Sequence, residues 1–227
     1  MNVTNSASLG IEMPARAHLK EVLAAGVCVL RRGTWLVRAA RAQASVLPDT
    51  VKTAYRWGPP DSARGNDARL PFHWLYVAED PNTAIWEGRF CERSEERPGF
   101  FHVQPDVVER GIIALFRLEA DFRLLELGGP TAARLGIYDQ ISEPNHTWCQ
   151  HFGVELHHVL AELHADTGAI GIRYPSRKLR NRSAIAIHSE YLSAWRRAIT
   201  IRTVRFEDMP IHRQLCRDPC YLPQDRR

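Results

Sequence analysis

Seven short β-like runs, separated by segments of very unequal length, constrain this chain more than any other feature of its sequence. They are Trp35–Arg38, His73–Ala78, Ile112–Leu118, Arg123–Leu127, Ala169–Tyr174, Ser183–His188 and Ile199–Phe206. A doubly wound nucleotide fold would place a helix of similar length between successive strands. Most intervals here are loops instead. The expectation is therefore one α+β domain, with a mixed or antiparallel sheet and flanking helices.

The helical signals are fewer. After Pro14, the residues Leu19, Val22, Leu23 and Val27 recur at three-to-four spacing, as on one face of a helix. From Pro144 to about Ala165, an apolar stripe of Trp148, Phe152, Leu156, Val159, Leu160 and Leu163 predicts the longest helix. A short helix over 131–137 follows the break at Gly128-Gly129-Pro130. Residues 42–72 and Glu92–Arg110 read as irregular, the former with one helical turn. The sharpest local signal is the strand ending at Ala78, followed by Asp80-Pro81. A capping carboxylate ahead of a proline at the first helical position predicts a helix over Asn82–Phe90. The first dozen residues read as a loose tail and the last twenty as a surface segment.

The 227 residues are 44% apolar and 25% charged, which suits a folded domain with its own core and excludes collagen-like or wholly disordered chains. No apolar run approaches the roughly 20 residues needed to cross a bilayer. No basic-then-apolar leader opens the sequence, so a cytoplasmic protein with no membrane partner is expected. Five scattered cysteines (28, 91, 149, 216 and 220) suit reduced thiols. The formal charge of +4 permits an anionic partner without demanding nucleic acid. Arg177, Lys178, Arg180 and Arg182, with Arg196–Arg197, are the densest basic cluster and read as solvated loop.

The common nucleotide-loop, nucleophile-elbow and zinc-protease motifs are absent. Five of the ten histidines fall at 146, 151, 157, 158 and 164, with spacings of 5, 6, 1 and 6, so no adjacent pair is set to share a metal ion and no metal site is expected. Cys149 lies in the apolar stripe and reads as packing rather than as a nucleophile.

What remains is an ordered constellation: Arg56-Trp57, then Leu75-Tyr76-Val77-Ala78-Glu79-Asp80-Pro81 with Ala84 and Glu87, then Gly171-Ile172-Arg173-Tyr174-Pro175-Ser176-Arg177. This set resembles the RES domain, the toxin half of a bacterial toxin–antitoxin family named for Arg, Glu and Ser. On that basis residues 1–34 are a tail and helix, 35–206 the RES-like catalytic domain, and 207–227 a C-terminal surface segment. The resemblance implies an ADP-ribosyltransferase-like fold that consumes NAD⁺. It implies cleavage of the nicotinamide–ribose bond by hydrolysis or phosphorolysis, with inorganic phosphate as a co-substrate in the second case. The alternatives are mono-ADP-ribosylation of a protein and, from another class, a non-catalytic nucleic-acid- or partner-binding module. A helix-turn-helix antitoxin of the Xre type is the implied partner, and a homodimer is left open. Direct nucleic-acid binding is not expected.

Matched residue by residue, the resemblance gives Arg56, Tyr76, Glu87 and Ser176 catalytic roles, and gives Arg38, Arg56, Tyr76 and Asn181 contacts to NAD⁺. No cofactor beyond that substrate is implied. The chemistry suits these side chains. Arginine offers a planar fork of donors for pyrophosphate oxygens. A carboxylate such as Glu87 stabilises the oxocarbenium-like state formed when a glycosidic bond breaks. Tyr76 can stack on the cationic nicotinamide ring, and Ser176 can bond the carboxamide or orient Glu87. No triad pattern makes Ser176 a nucleophile.

Overall fold

A computed structural model describes residues 12–65, 69–143 and 145–223. It begins with α1 (Arg16–Ala25), β1 (Val27–Leu30), β2 (Trp35–Ala40), β3 (Trp74–Ala78) and α2 (Pro81–Glu87). Next come β4 (Cys91–Arg93), β5 (Phe101–Val103), α3 (Pro105–Arg110), β6 (Ile112–Leu118), β7 (Phe122–Glu126) and α4 (Gly129–Leu135). The chain continues through α5 (Thr147–Thr167), β8 (Ala169–Pro175), β9 (Ser183–His188), α6 (Leu192–Arg197), β10 (Ile199–Arg205) and α7 (Pro210–Cys216).

One eight-stranded sheet, ordered β1-β7-β8-β9-β3-β2-β6-β10, organises the molecule. Only β7 and β8 run parallel, and α5 makes the crossover between them from the intervening sequence. Strand alternation divides the core. On β9, Ala184 and Ala186 face α5 with Ile172 and Tyr174 of β8, while Ile185 and Ile187 enter the opposite layer with Leu75, Phe116 and Trp195. Both faces of the central strands are thus buried, and their side chains are almost all apolar. A third cluster around Ile85, Phe90 and Phe206 packs under α2 and α7.

The sheet is weakest where β2 meets β3. Those strands pair only at Val37 and Ala78, whereas β3 and β9 pair along five residues. The resulting gap opens on the α5 face, next to the C-terminal end of α2. Asp80 caps that helix: its side chain accepts from the Thr83 backbone N–H at 2.9 Å and from the Thr83 hydroxyl at 2.7 Å. Pro81 follows at the first turn.

The α+β class and the seven expected strands are present, and the structure adds elements that sequence periodicity passes over. Val27 does not extend α1; the helix ends at Ala25, and Val27 opens β1 at the sheet edge, paired with Leu125. The first 34 residues therefore contribute a strand to the main sheet. The segment 92–110 contains the small β4–β5 hairpin and α3, elements of three and six residues that are too short for a periodic signal. Within 42–72, two short 3-10 turns occur, at Gln43–Ser45 and Asp61–Ala63. The helix expected to reach Phe90 stops at Glu87, because Arg89 takes a left-handed φ of 57°. The loose-tail reading of residues 1–11 and the start of α5 at Pro144 lie outside the described residues. Among the described residues, no helix is long and apolar enough to cross a membrane.

Candidate active site

The gap between β2 and β3 opens into a cavity of about 440 Å³. Arg38, Arg41, Arg56, Arg89, Arg177 and Lys178 line it, with Glu87 as the one carboxylate on its wall among the described residues. Six cations around one anion make this a site for a negatively charged ligand.

Arg38 projects from β2 where the ladder to β3 is missing. Its Nη1 donates to the Tyr76 carbonyl at 2.8 Å and its Nε to the Ser45 carbonyl at 3.1 Å. The side chain thus bridges the split in the sheet and satisfies a β3 carbonyl that a backbone partner would otherwise take.

Arg56 enters from the long loop. The loop is fixed by Trp57, which is fully buried and meets Phe152 and Tyr174 edge to face at 6.2 and 5.4 Å. The Trp57 backbone N–H donates to the Tyr76 hydroxyl at 3.0 Å. Beneath it, α5 carries Gly153, where an added Cβ would lie 2.2 Å from the Trp57 carbonyl oxygen. Only a residue without a side chain lets the loop rest on the helix. Arg56 is then 6% exposed, and none of its three guanidinium nitrogens has a hydrogen-bond partner among the described residues. Its contacts are the rings of Trp57, 4.8 Å from the guanidinium carbon, and of Tyr174 at 5.6 Å. A buried cation with all its donors unused, on the wall of a cavity, is an energetic liability unless a ligand supplies acceptors.

Glu87 is the last residue of α2 and lies half-buried against the Ser176 turn. Ser176 Oγ donates to Glu87 Oε1 at 2.6 Å and accepts from the backbone N–H groups of Lys178 and Leu179 at 3.2 and 3.1 Å. With both lone pairs occupied, its single proton is directed at the carboxylate. Ser176 is thereby a positioning residue for Glu87. Gly88 allows α2 to lie against β2, since a Cβ there would meet that of Ala39 at 2.8 Å.

Tyr76 and Tyr174 stand side by side on β3 and β8, their rings edge to face at 6.5 Å, and both line the cavity. Burial pushes both phenols above their ordinary range, so they stay neutral. Tyr55, half exposed, edges onto Tyr76 at 5.9 Å.

The structure thus gathers Arg38, Arg56, Tyr76 and Glu87 on one cavity, with Ser176 immediately behind Glu87. Asn181 is not brought there. It is exposed in the turn between β8 and β9 with a left-handed φ of 62°, a conformation that asparagine tolerates better than most residues. It serves that turn and is not among the residues that line the cavity. Arg173, within the same motif, bridges Glu79 and Glu126 at 3.0 Å each and tightens the sheet instead of facing the ligand.

Sequence reasoning passed over Tyr174, Arg89, His146, Arg177 and Lys178 as site residues. Arg177 and Lys178 were legible as a basic cluster, but their direction depends on the turn after β8. Arg196, from the other basic pair, is committed to Asp49 at 2.5 Å, so the basic clusters do not form one face. His146 accepts at Nε2 from Arg177 Nη2 at 3.2 Å. Burial, then the charges of Arg177, Arg56, Arg89 and Lys178, pushes its imidazole down to about 4. Cys149 is fully buried in the α5 stripe.

No curated protein matches the chain at significance. Among solved structures, a chain of the crystal structure of the M. tuberculosis MbcT–MbcA toxin–antitoxin complex is similar, at 16% identity and a TM-score of 0.55. The likeness covers 87% of this chain and 95% of that one, and it shows a shared fold. The RES domain family model matches residues 36–207, from β2 to just past β10 and well over half the length, and on that match the chain belongs to the RES domain family.

Proposed function

We propose that this protein cleaves the bond between nicotinamide and ribose in NAD⁺. The observation that carries the reading is the Ser176–Glu87 pair beside an unpartnered, buried Arg56 on one cavity. In this reading Arg56 and Arg38 hold the pyrophosphate, because a guanidinium fork matches two phosphate oxygens at once. Arg56 gains the acceptors it lacks, while Nη2 of Arg38, which has no bond among the described residues, completes the cradle.

The bond between C1′ and the pyridinium nitrogen then breaks with the electron pair leaving on nicotinamide. The positive charge moves from the ring to the ribose. Glu87, oriented by the Ser176 hydroxyl, stabilises that charge where it develops. Tyr76 supplies aromatic surface for the pyridinium before departure, with Tyr174 packed edge to face behind it. No proton has to reach nicotinamide, which leaves as a neutral molecule, so the site needs no general acid.

The family and the neighbour, a toxin–antitoxin complex by its description, support reading this chain as the toxin half of such a pair; a helix-turn-helix antitoxin is our proposal for its partner. With NAD⁺ as its substrate, the cytoplasm is the compartment in which we propose that it acts. The test is NAD⁺ loss by purified protein beside a Glu87→Gln variant of equal thermal stability. Loss of at least about 100-fold in rate in the variant supports the reading, in line with removal of one electrostatic stabiliser. An NAD⁺-inert wild type overturns it.

A further inference from the structure

The two edges of the eight-stranded sheet differ in kind. One is closed by β1, a strand of four residues, while the other is β10, seven residues paired to β6 from Ile199 opposite Leu118 to Arg205 opposite Ile112 without a bulge. The Glu119 N–H donates to the Ala198 carbonyl at 2.8 Å and the Phe206 N–H to the Gly111 carbonyl at 2.8 Å, which pins both ends of β10 to its single neighbour. Among the described residues, nothing bonds to the backbone groups on its outer side. Folded proteins commonly guard such an edge with a short strand, a proline, a bulge or charged side chains. Only the last applies to β10, through Arg202 and Arg205.

These charges do more than repel. Arg205 is paired with Glu207 at 2.7 Å, whereas exposed Arg202 makes no ion pair among the described residues. Side chains alternate across the sheet, so Arg202 shares a face with Thr200, which stands opposite Arg117. The Thr200 hydroxyl donates to Glu119 Oε1 at 2.8 Å, and Arg117 reaches that oxygen only at 3.6 Å. Glu119 Oε2 has no bond among the described residues. The edge thus carries an unused cation and, one residue pair away, an anion with an open oxygen. On the other face Ile201 is 40% exposed, although Ile199 before it packs against the core layer of Phe116 and Trp195.

An edge with both signs of charge can complement itself. In an antiparallel pair about a two-fold axis normal to the sheet, opposite residues share a face, so one residue meets its own counterpart. Centring on Arg202 would set two arginines against each other, which is unfavourable. Centring on Thr203 would set Arg205 against Ile201 and leave Arg202 without an anion. Centring on Ile201 keeps residues 199–203 in register and brings the two Ile201 side chains together. It also puts Arg202 of each copy opposite Thr200 of the other, beside the carboxylate that Thr200 holds.

We propose that the protein forms a two-fold dimer through β10, centred on Ile201, with Arg202 of each protomer paired to Glu119 of its partner. The two sheets then run on as one. This inference does not depend on the NAD⁺ reading, since the edge lies outside the residues that line the cavity. One strand pair is smaller than a permanent interface, so a dissociation constant on the order of micromolar is expected.

Sedimentation equilibrium of the full chain tests the dimer, and charge exchange tests its geometry. Arg202→Glu or Glu119→Arg alone should weaken association at least about tenfold, because the two-fold axis repeats each like-charge contact. The double variant Glu119→Arg with Arg202→Glu should restore it to within about threefold of wild type. Both positions are exposed or at the surface, and melting temperatures verify that each variant is folded.

The register is read by oxidative cross-linking in a chain carrying Cys216→Ser and Cys220→Ser, which removes the exposed native thiols. Ile201→Cys should cross-link readily, as directly opposite Cβ atoms lie about 4.5–5.5 Å apart. Thr203→Cys should not, because its counterpart is displaced by about 13 Å along the strands. A wild type that stays monomeric up to about 100 μM overturns the proposal. So does a dimer that neither single charge variant weakens, or one in which Thr203→Cys cross-links and Ile201→Cys does not.

Discussion

Ser176 Oγ lies 2.6 Å from Glu87 Oε1, and the two backbone N–H groups that occupy its lone pairs leave its proton no other direction. Two distant stretches of sequence, the end of α2 and the turn after β8, are closed onto one carboxylate by this bond. Ser176→Ala should lower the rate of NAD⁺ loss by about 10- to 100-fold, the range of a hydrogen bond to a charged group. Thermal stability should fall by no more than about 1–3 kcal/mol, since two backbone donors lose their acceptor. Unchanged turnover in a folded Ser176→Ala protein would show that Glu87 does not depend on its neighbour.

Arg56 should be more useful to the ligand than to the fold. A buried guanidinium without acceptors lowers stability, offset in part by its contacts with Trp57 and Tyr174. Arg56→Met is expected to melt at or above the wild-type temperature while binding NAD⁺ at least about tenfold more weakly. Calorimetry and titration read the two effects separately. A strongly destabilised Arg56→Met protein with intact binding would reverse the assignment.

Gly153 tests the loop rather than the chemistry. A Cβ 2.2 Å from the Trp57 carbonyl must displace the segment carrying Arg56. Gly153→Ala should lose about 1–3 kcal/mol of stability from overpacking. The Michaelis constant for NAD⁺ should rise more than the maximal rate falls, because the displaced residue binds substrate. Equal kinetics in Gly153→Ala would mean that the loop is not seated by the helix.

The His157–His188 pair sets an acid limit on stability. His157 Nδ1 and His188 Nε2 are 2.9 Å apart, and the second His188 nitrogen accepts from the Glu190 backbone N–H. Burial, then the neighbouring His157 and His73, pushes His188 down to about 3, while burial and His158 lower His157. Both are depressed below the unfolded value of about 6.5. The unfolded chain therefore binds more protons in this window, and stability falls as pH drops from about 6.5 toward 3. Urea midpoints between pH 7 and 4.5 should decline more steeply in wild type than in His188→Phe. Parallel slopes would contradict the assignment.

The passage from Trp74 to Glu87 was readable because its signals are local. Asp80 and Pro81 start α2, and strand alternation along β3 sends Trp74 and Tyr76 to one face and Leu75 and Val77 to the other. Glu87, Tyr76, Arg56 and Ser176 could be named from their order in a motif, but the Ser176–Glu87 contact depends on two turns whose closure spacing does not reveal. Arg89 was hidden because its left-handed backbone breaks the expected run of α2. Arg177 and Lys178 read as solvated loop, and His146 only as one of five histidines not spaced for a metal, because nothing local shows that a cavity lies between them. The gap itself follows from the single β2–β3 pairing at Val37 and Ala78, a property of strand divergence and not of composition. The hairpin, α3 and α6 escaped because three to six residues carry too little periodicity to read.

The most direct measurement is chromatographic separation of nucleotides after incubating NAD⁺ with purified protein, beside Glu87→Gln at matched stability. The account predicts release of nicotinamide by wild type together with ADP-ribose or its phosphorylated form, and at least about 100-fold slower release by the variant. Intact NAD⁺ with the wild-type protein, or equal nicotinamide release by the two proteins, would contradict it.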